Sequence, residues 1–185
     1  MKRRLAALAA GVALWSCPLH ATEWAAIAFE SRLGFVATWE GIPFEGVFRD
    51  YRAHIEFDAA RPEAGRFEIS VQVASVDSDS AERDEGMGEA EWLDFAGHPT
   101  AQFVSSAIRA TSDGGYQVDG TLTLKGISRP ASVPFTWTAD GEHARLRAET
   151  VLRRSDFAIG EGEWATDPSI GMEVRLRVDL GLRAD

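Results

Sequence analysis

Residues 116–137 alternate between apolar and polar side chains with a period of two, and this pattern constrains the fold more than any other stretch. Such alternation is typical of strands that bury one face and expose the other. Residues 125–130 interrupt it with a glycine and a proline, which favour turns. We therefore predict two antiparallel strands joined by a tight turn. Their apolar face consists of Tyr116, Val118, Leu122, Leu124, Val133, Phe135 and Trp137.

The same alternation recurs along most of the chain. It is clear at residues 67–73 and at 174–182, and Asp-Gly-Gly at 113–115 is typical of a hairpin turn. About eight to ten short strands with short turns predict a single antiparallel barrel or a sandwich.

One region departs from the strand pattern. Residues 80–87 and 89–95 are rich in Glu, Ala and Met, which indicates one or two short helices. The strand pattern therefore predicts an all-β fold, either an antiparallel barrel or a sandwich, with these helices inserted after the strand ending near Val76.

The first residues have the features of a secretory signal peptide. Lys2, Arg3 and Arg4 precede an apolar run at residues 5–15, and Ala21 offers a small residue for cleavage. The run is shorter than the roughly 20 residues that span a membrane. We therefore predict a signal peptide at 1–21, one domain at 22–185, and export to the periplasm. Acylation of Cys17, the only cysteine, is the alternative.

Charge argues against several classes of partner. Removing the signal peptide takes the formal charge from −10 to −13, since 16 Lys and Arg then stand against 29 Asp and Glu. An acidic domain is repelled by phosphate backbones and anionic lipid surfaces. Binding to nucleic acid is therefore not expected.

Catalytic and metal-ligating patterns are few. After signal removal the histidines are His54, His98 and His143. A hydrolase that uses His54 or His98 is a minor alternative, because an exposed ion-paired row and a helix-end contact are the commoner arrangements. We predict no catalytic residue, no metal and no cofactor.

Several motifs resemble those of the YceI-like, polyisoprenoid-binding family. Gly-Thr-Leu-Thr-Leu-Lys-Gly-Ile-Ser-Arg-Pro at 120–130 looks like the family's central signature. Five further motifs follow the family's order and spacing, at residues 74–79, 82–84, 92–95, 98–103 and 154–157. The resemblance spans nearly all of the chain after the signal peptide. It implies that the fold is an antiparallel, lipocalin-like barrel of eight or slightly more strands. Such a periplasmic barrel would hold one long-chain amphiphile: a polyisoprenoid, an isoprenoid quinone or a fatty amide.

Alternation alone does not distinguish a filled core from a cavity, because an eight-stranded barrel is compatible with both. The resemblance implies a cavity, and the alternating apolar residues indicate its wall. The predicted wall residues are Phe35, Trp39, Phe48, Phe67, Ile69, Val71, Phe103, Leu122, Leu124, Phe135, Trp137 and Leu176.

The resemblance also implies an entrance near the predicted helices. The entrance or headgroup candidates are Arg83, Asp84 and Trp92. For Arg83 and Asp84, structural capping of the short helices is the alternative, and it is the commoner role of such a charge pair. The sequence departs from the family at residues 86–91, which are acidic where a more basic stretch is common, and this argues against a pyrophosphate headgroup.

The sequence is compatible with more than one kind of partner and more than one assembly state. The alternative function is an accessory role for a membrane redox partner such as a b-type cytochrome, through quinone hand-over or surface contact. Transient contact with a membrane or a membrane protein fits either role, and both a monomer and a dimer are compatible with the sequence.

Overall fold

Eleven β-strands and one α-helix make up the regular structure of residues 21–185, which the computed structural model describes. The predicted signal peptide lies outside the described residues apart from Ala21. The strands are β1 (Glu23–Ala26), β2 (Arg32–Trp39), β3 (Ile42–Phe48), β4 (Tyr51–Glu56), β5 (Arg66–Gln72), β6 (Val76–Asp77), β7 (Thr100–Ala110), β8 (Tyr116–Leu124), β9 (Ile127–Asp140), β10 (His143–Arg153) and β11 (Glu173–Ala184). The helix α1 (Ala81–Met87) follows β6.

The sheet closes into an antiparallel barrel because β11 is paired on both edges. One edge pairs with β10. The other pairs with β2 through residues 175–179 and with β1 through residues 182–184. Within the described residues, eight strands therefore form a ring in the order β1, β4, β5, β7, β8, β9, β10, β11, while β2, β3 and β6 extend the wall. Closure leaves few exposed sheet edges. The predicted eight-stranded barrel is confirmed.

Aromatic side chains fill one end of the barrel, which we call the packed end. Phe57 has 1% of its surface exposed, and its ring centroid lies 4.9 Å from that of Trp137, 5.0 Å from Tyr116 and 5.5 Å from Phe135. The Trp24 indole N–H donates to the Phe57 carbonyl oxygen at 3.0 Å, so this buried donor is satisfied. Angled ring contacts of this kind add to the apolar area buried. This end is therefore a solid core.

The helix α1 and the turns after it cover the opposite end. The Ser80 hydroxyl caps α1 by accepting a hydrogen bond from the Arg83 N–H. The prediction of short helical structure after Val76 is confirmed by this one helix. Residues 89–95, the second helix candidate, form turns instead. Asp94 has φ of 50°, a left-handed conformation that a right-handed helix does not accommodate.

A second irregular segment lies beside the first. Residues 154–172 contain the 3-10 helices Arg154–Phe157 and Gly162–Ala165. The two segments join where the Gly160 N–H donates to the Glu91 carbonyl oxygen at 2.7 Å. We call residues 78–99 and 154–172 together the lid.

No helix in residues 21–185 is long and apolar enough to cross a membrane.

Ion pairs on the outer face of β10 and β11 predict a pH dependence of stability. Arg145 and Arg147 both donate to the Asp179 carboxylate, and the hydrogen bond from Arg145 is the main reason that the pKa of Asp179 is lowered. A lowered folded-state pKa stabilises the protein above the unfolded-state pKa of about 3.9, and this stabilisation is lost as pH falls through the folded-state value.

We expect Asp179→Asn to lower the free energy of unfolding at pH 7, and we expect its difference from the wild type to shrink as pH falls below about 4. Urea unfolding across pH measures this. Glu142→Gln is the control, because no ion pair of the Glu142 side chain is found within residues 21–185. A difference for Asp179→Asn that stays constant from pH 7 to pH 3 would contradict the expectation.

Candidate binding cavity

A cavity of about 270 Å³ lies inside the barrel between the packed end and the lid. Inward-facing side chains of the strands form most of its wall, which is predominantly apolar. The lid adds Met87, Leu93, Phe157, Ile159 and Ile170. At about 30 Å³ for a group the size of a water molecule, the cavity has room for about nine methylene-sized groups. Its size and character suit an apolar chain.

The wall contains the residues that the strand pattern placed there, apart from Trp137. Leu122, Leu124 and Leu176 are only half-buried although they face the interior, because the cavity leaves one side of each without packing partners. Trp137 lies in the packed end, with its ring centroid 5.1 Å from that of Trp24. The predicted residues in the wall are Phe35, Trp39, Phe48, Phe67, Ile69, Val71, Phe103, Leu122, Leu124, Phe135 and Leu176.

Two of the three entrance candidates anchor the lid and do not line the cavity. The Asp84 carboxylate accepts hydrogen bonds from the Ser78 N–H at 3.1 Å and from the Ser78 hydroxyl at 2.6 Å. Arg83 donates to the Ser78 carbonyl oxygen, and its guanidinium lies 4.3 Å from the centre of the Phe44 ring. Phe44 is part of the cavity wall. These contacts position α1 over the barrel.

A row of tryptophans leads from the cavity to the surface, and we call its exposed end, at Trp39, the mouth. Trp92, the third entrance candidate, lines the cavity, as does Trp39. Trp164 lies between them, with its ring centroid 6.4 Å from that of Trp39 and 5.9 Å from that of Trp92. Trp39 is 44% exposed, so this aromatic row reaches from the cavity to the surface.

Arg154 is a cavity residue that the strand pattern did not identify. It is 3% exposed, lines the cavity, and donates to the carbonyl oxygens of Ile159, Gly160 and Trp164 at 2.9, 2.8 and 2.7 Å. Burial lowers the pKa of its guanidinium. It lies in a 3-10 helix, where alternation gives no signal. The motif at residues 154–157 was the only sequence feature that singled it out.

The histidine candidates lie outside the cavity wall. His54 is on the outer surface between Glu23 and Glu56, with nitrogen-to-oxygen distances of 3.1 and 3.0 Å. His98 Nε2 lies 3.7 Å from an Asp94 carboxylate oxygen in the lid. Within residues 21–185 no three His, Cys, Asp or Glu side chains are grouped so that they could hold a metal ion.

Comparison with known families identifies the chain. The sequence model of the YceI-like domain matches residues 24–182. The chain belongs to the YceI-like family. A UPF0312 protein of Pseudomonas putida strain W619 is 33% identical over 185 residues, covering 94% of this chain and 95% of the relative. A UPF0312 protein of Azotobacter vinelandii is 32% identical over 173 residues, covering 86% and 88%.

Solved structures have the same barrel as this YceI-like protein. Burkholderia cenocepacia BcnA is 30% identical, with a TM-score of 0.81 over 84% of this chain and 98% of that one. A polyisoprenoid binding domain from Saccharophagus degradans, implicated in plant cell wall breakdown, has a TM-score of 0.68 at 14% identity, over 89% and 99% of the chains. The second similarity concerns the fold alone.

Gly160 offers a test of how the lid of the YceI-like barrel is packed. Its φ is 68°, and a Cβ at this position would overlap Nη1 of Arg154. We expect Gly160→Ala to lower the free energy of unfolding by about 1–3 kcal/mol. Alanine is strained in the left-handed conformation, and its Cβ prevents the close approach of the Arg154 guanidinium. Thermal unfolding measures this.

Gly86→Ala is the matched control for Gly160→Ala. Gly86 lies in α1, and a Cβ there would meet nothing within 4 Å. Alanine also favours a helix over glycine, so Gly86→Ala should be neutral or slightly stabilising. Equal effects of the two substitutions would contradict the packing of Gly160 against Arg154.

Proposed function

We propose that this YceI-like protein is a periplasmic carrier that binds one long-chain amphiphile inside the barrel. The cargo is a polyisoprenoid, an isoprenoid quinone or a fatty amide. The observation that supports this is the apolar cavity between the packed end and the lid, in a barrel whose strands close into a ring. Membership of the YceI-like family, and a fold shared with a polyisoprenoid binding domain, support the class of ligand.

The energetics of apolar transfer favour carriage over catalysis. About nine buried methylene groups at about 0.8 kcal/mol each give roughly 7 kcal/mol relative to water. The same chain is as stable in a bilayer, so transfer from membrane to barrel is nearly neutral. The protein lowers the free-energy cost of moving the chain through water. That passage is the step that a carrier must assist. This role requires no catalytic residue.

The length of the cargo bears on how it is held. A polyprenyl chain is longer than the roughly nine groups that fit in about 270 Å³. In this proposal the cavity widens by displacement of the lid, or the rest of the chain leaves through the mouth beside Trp39. The exposed aromatic row offers an apolar path along that route.

Export to the periplasm is part of the proposal. It places a signal peptide at residues 1–21, based on the basic residues and apolar run there, and the mature barrel at 22–185. Delivery between membranes requires a carrier in the aqueous space between them, and the periplasm is such a space.

Tryptophan fluorescence tests the proposed binding. A quinone quenches a nearby indole, and Trp39 and Trp92 line the cavity. We expect an isoprenoid quinone to quench the protein's fluorescence saturably with one quinone per chain. Trp92→Phe should reduce the quenched amplitude.

Trp137→Phe is the control for the quenching experiment, because Trp137 lies in the packed end and not in the cavity wall. It should retain more of the quenched amplitude than Trp92→Phe does. Absence of saturable quenching, or equal losses in the two variants, would contradict binding in this cavity.

A further inference from the structure

Arg154 places a buried positive charge in a wall that is otherwise mainly apolar. The residue is only 3% exposed, and it lines the cavity. Three of its five N–H groups donate to carbonyl oxygens of the lid. Its Nε is buried and has no acceptor among residues 21–185. A donor is therefore left unsatisfied on a side chain that lines the cavity.

The charge of Arg154 also lacks a direct counter-ion. The ion pairs of the described residues include none with Arg154, and Asp167 acts on it only through a weaker, longer-range attraction. Burial lowers the pKa of Arg154, but a guanidinium stays protonated in proteins. A buried charge and a buried N–H without partners are both unfavourable. An acceptor oxygen placed beside Nε would relieve both.

We propose that Arg154 Nε donates to the polar head of the cargo, and that the cavity therefore selects chains ending in a carbonyl or carboxylate oxygen. This inference rests on the proposed function. It also sets the orientation of the cargo. Arg154 belongs to the lid, where it lies against Gly160 and Trp92, while the apolar wall continues towards Phe135 at the packed end. The head lies under the lid and the chain points inward.

Lys125 is the matched control for Arg154. It distinguishes binding of the cargo's polar head from stabilisation of the lid. Its Nζ donates to the Ala158 carbonyl oxygen at 2.6 Å, and it lies 3.7 Å from a Glu161 carboxylate oxygen. Lys125 thus binds the same lid segment as Arg154 does, but it is not part of the cavity wall. A variant of Lys125 weakens the lid without changing the cavity.

The test uses decane, methyl decanoate and decanoate, whose chains are close to the roughly nine groups that the cavity volume accommodates. Their affinities are measured with the full mature chain by displacement of a fluorescent apolar reporter. We expect both oxygen-bearing chains to bind at least about tenfold more tightly than decane, with decanoate tightest, because hydrogen bonds to charged groups are strong. Arg154→Met should abolish this preference, and Lys125→Met should keep it.

Nitrogen-15 NMR gives a readout in the wild-type protein that does not depend on the folding of a variant. Decanoate should shift the Arg154 Nε–H resonance, and decane should not. Arg154→Lys, which keeps a charge but lacks Nε, serves to assign that resonance.

The outcomes distinguish this inference from the proposed function. If the chains bind but show no preference for the oxygen-bearing heads, or if Arg154→Met and Lys125→Met weaken all three chains equally, the inference is overturned and the carrier proposal stands. If no chain binds the wild type, the carrier proposal fails and the inference fails with it.

Discussion

Leu176→Arg should abolish binding of the amphiphile and leave the barrel folded. Leu176 lies in β11 and faces the cavity, where an arginine has room because the space inside is about 270 Å³. An apolar chain would then have to pack against a guanidinium out of water, which is strongly unfavourable. We expect the affinity for an isoprenoid quinone to fall by about 100-fold or more. Tryptophan quenching measures the affinity, and far-UV circular dichroism reports the fold.

Leu176→Met is the matched control, because it keeps the apolar character and nearly the volume of leucine. It should bind the quinone about as well as the wild type does. Arg175 and Arg177, on the outer face of the same strand, indicate that β11 accommodates arginine where the side chain reaches water. Full quinone binding by a folded Leu176→Arg variant would show that this position does not line the binding site.

Phe57→Ala should cause a large loss of stability. The ring is 1% exposed and contacts four aromatic neighbours in the packed end. Removing it leaves a cavity that rigid neighbours do not refill, which destabilises proteins by about 3–5 kcal/mol. For a domain of this size we expect the melting temperature to fall by about 10 °C.

Phe29→Ala is the control for Phe57→Ala. Phe29 is 89% exposed, so its truncation removes little buried area, and its effect should lie within about 0.5 kcal/mol. Thermal and urea unfolding of both variants measure the difference. A Phe57→Ala variant as stable as Phe29→Ala would contradict the packed end.

Alternation was sufficient to predict the strands and the face that each strand buries. β11 illustrates this, since Leu176 and Leu180 face inward and Arg175 and Arg177 face outward, as the period of two requires. Closure was not decided by the strand pattern, which is compatible with a barrel and with a sandwich, and the family resemblance supplied the barrel.

Depth along the barrel was not predictable from the same pattern. Phe135 and Trp137 share a face of β9, yet only Phe135 reaches the cavity wall, while Trp137 packs against Trp24. Periodicity gives the face of a strand but not the height of a residue within the barrel. That height depends on strand register and on which side chains meet from other strands.

The lid was the least predictable part of the site. Residues 89–95 have a helical composition but form turns, and Asp94 near their end adopts a left-handed conformation. Arg154 is charged, and charged side chains are seldom buried, so its place in the cavity wall depends on three carbonyl oxygens that irregular backbone brings to it. Neither feature has a periodic signal in the sequence.

Native mass spectrometry of the protein purified from a periplasmic extract without detergent tests the carrier proposal most directly. We predict one bound molecule per chain, released by organic extraction as an isoprenoid or acyl chain with a carbonyl or carboxylate head. A protein that carries no extra mass, and that also fails to bind added quinones and prenyl lipids, would contradict the proposal.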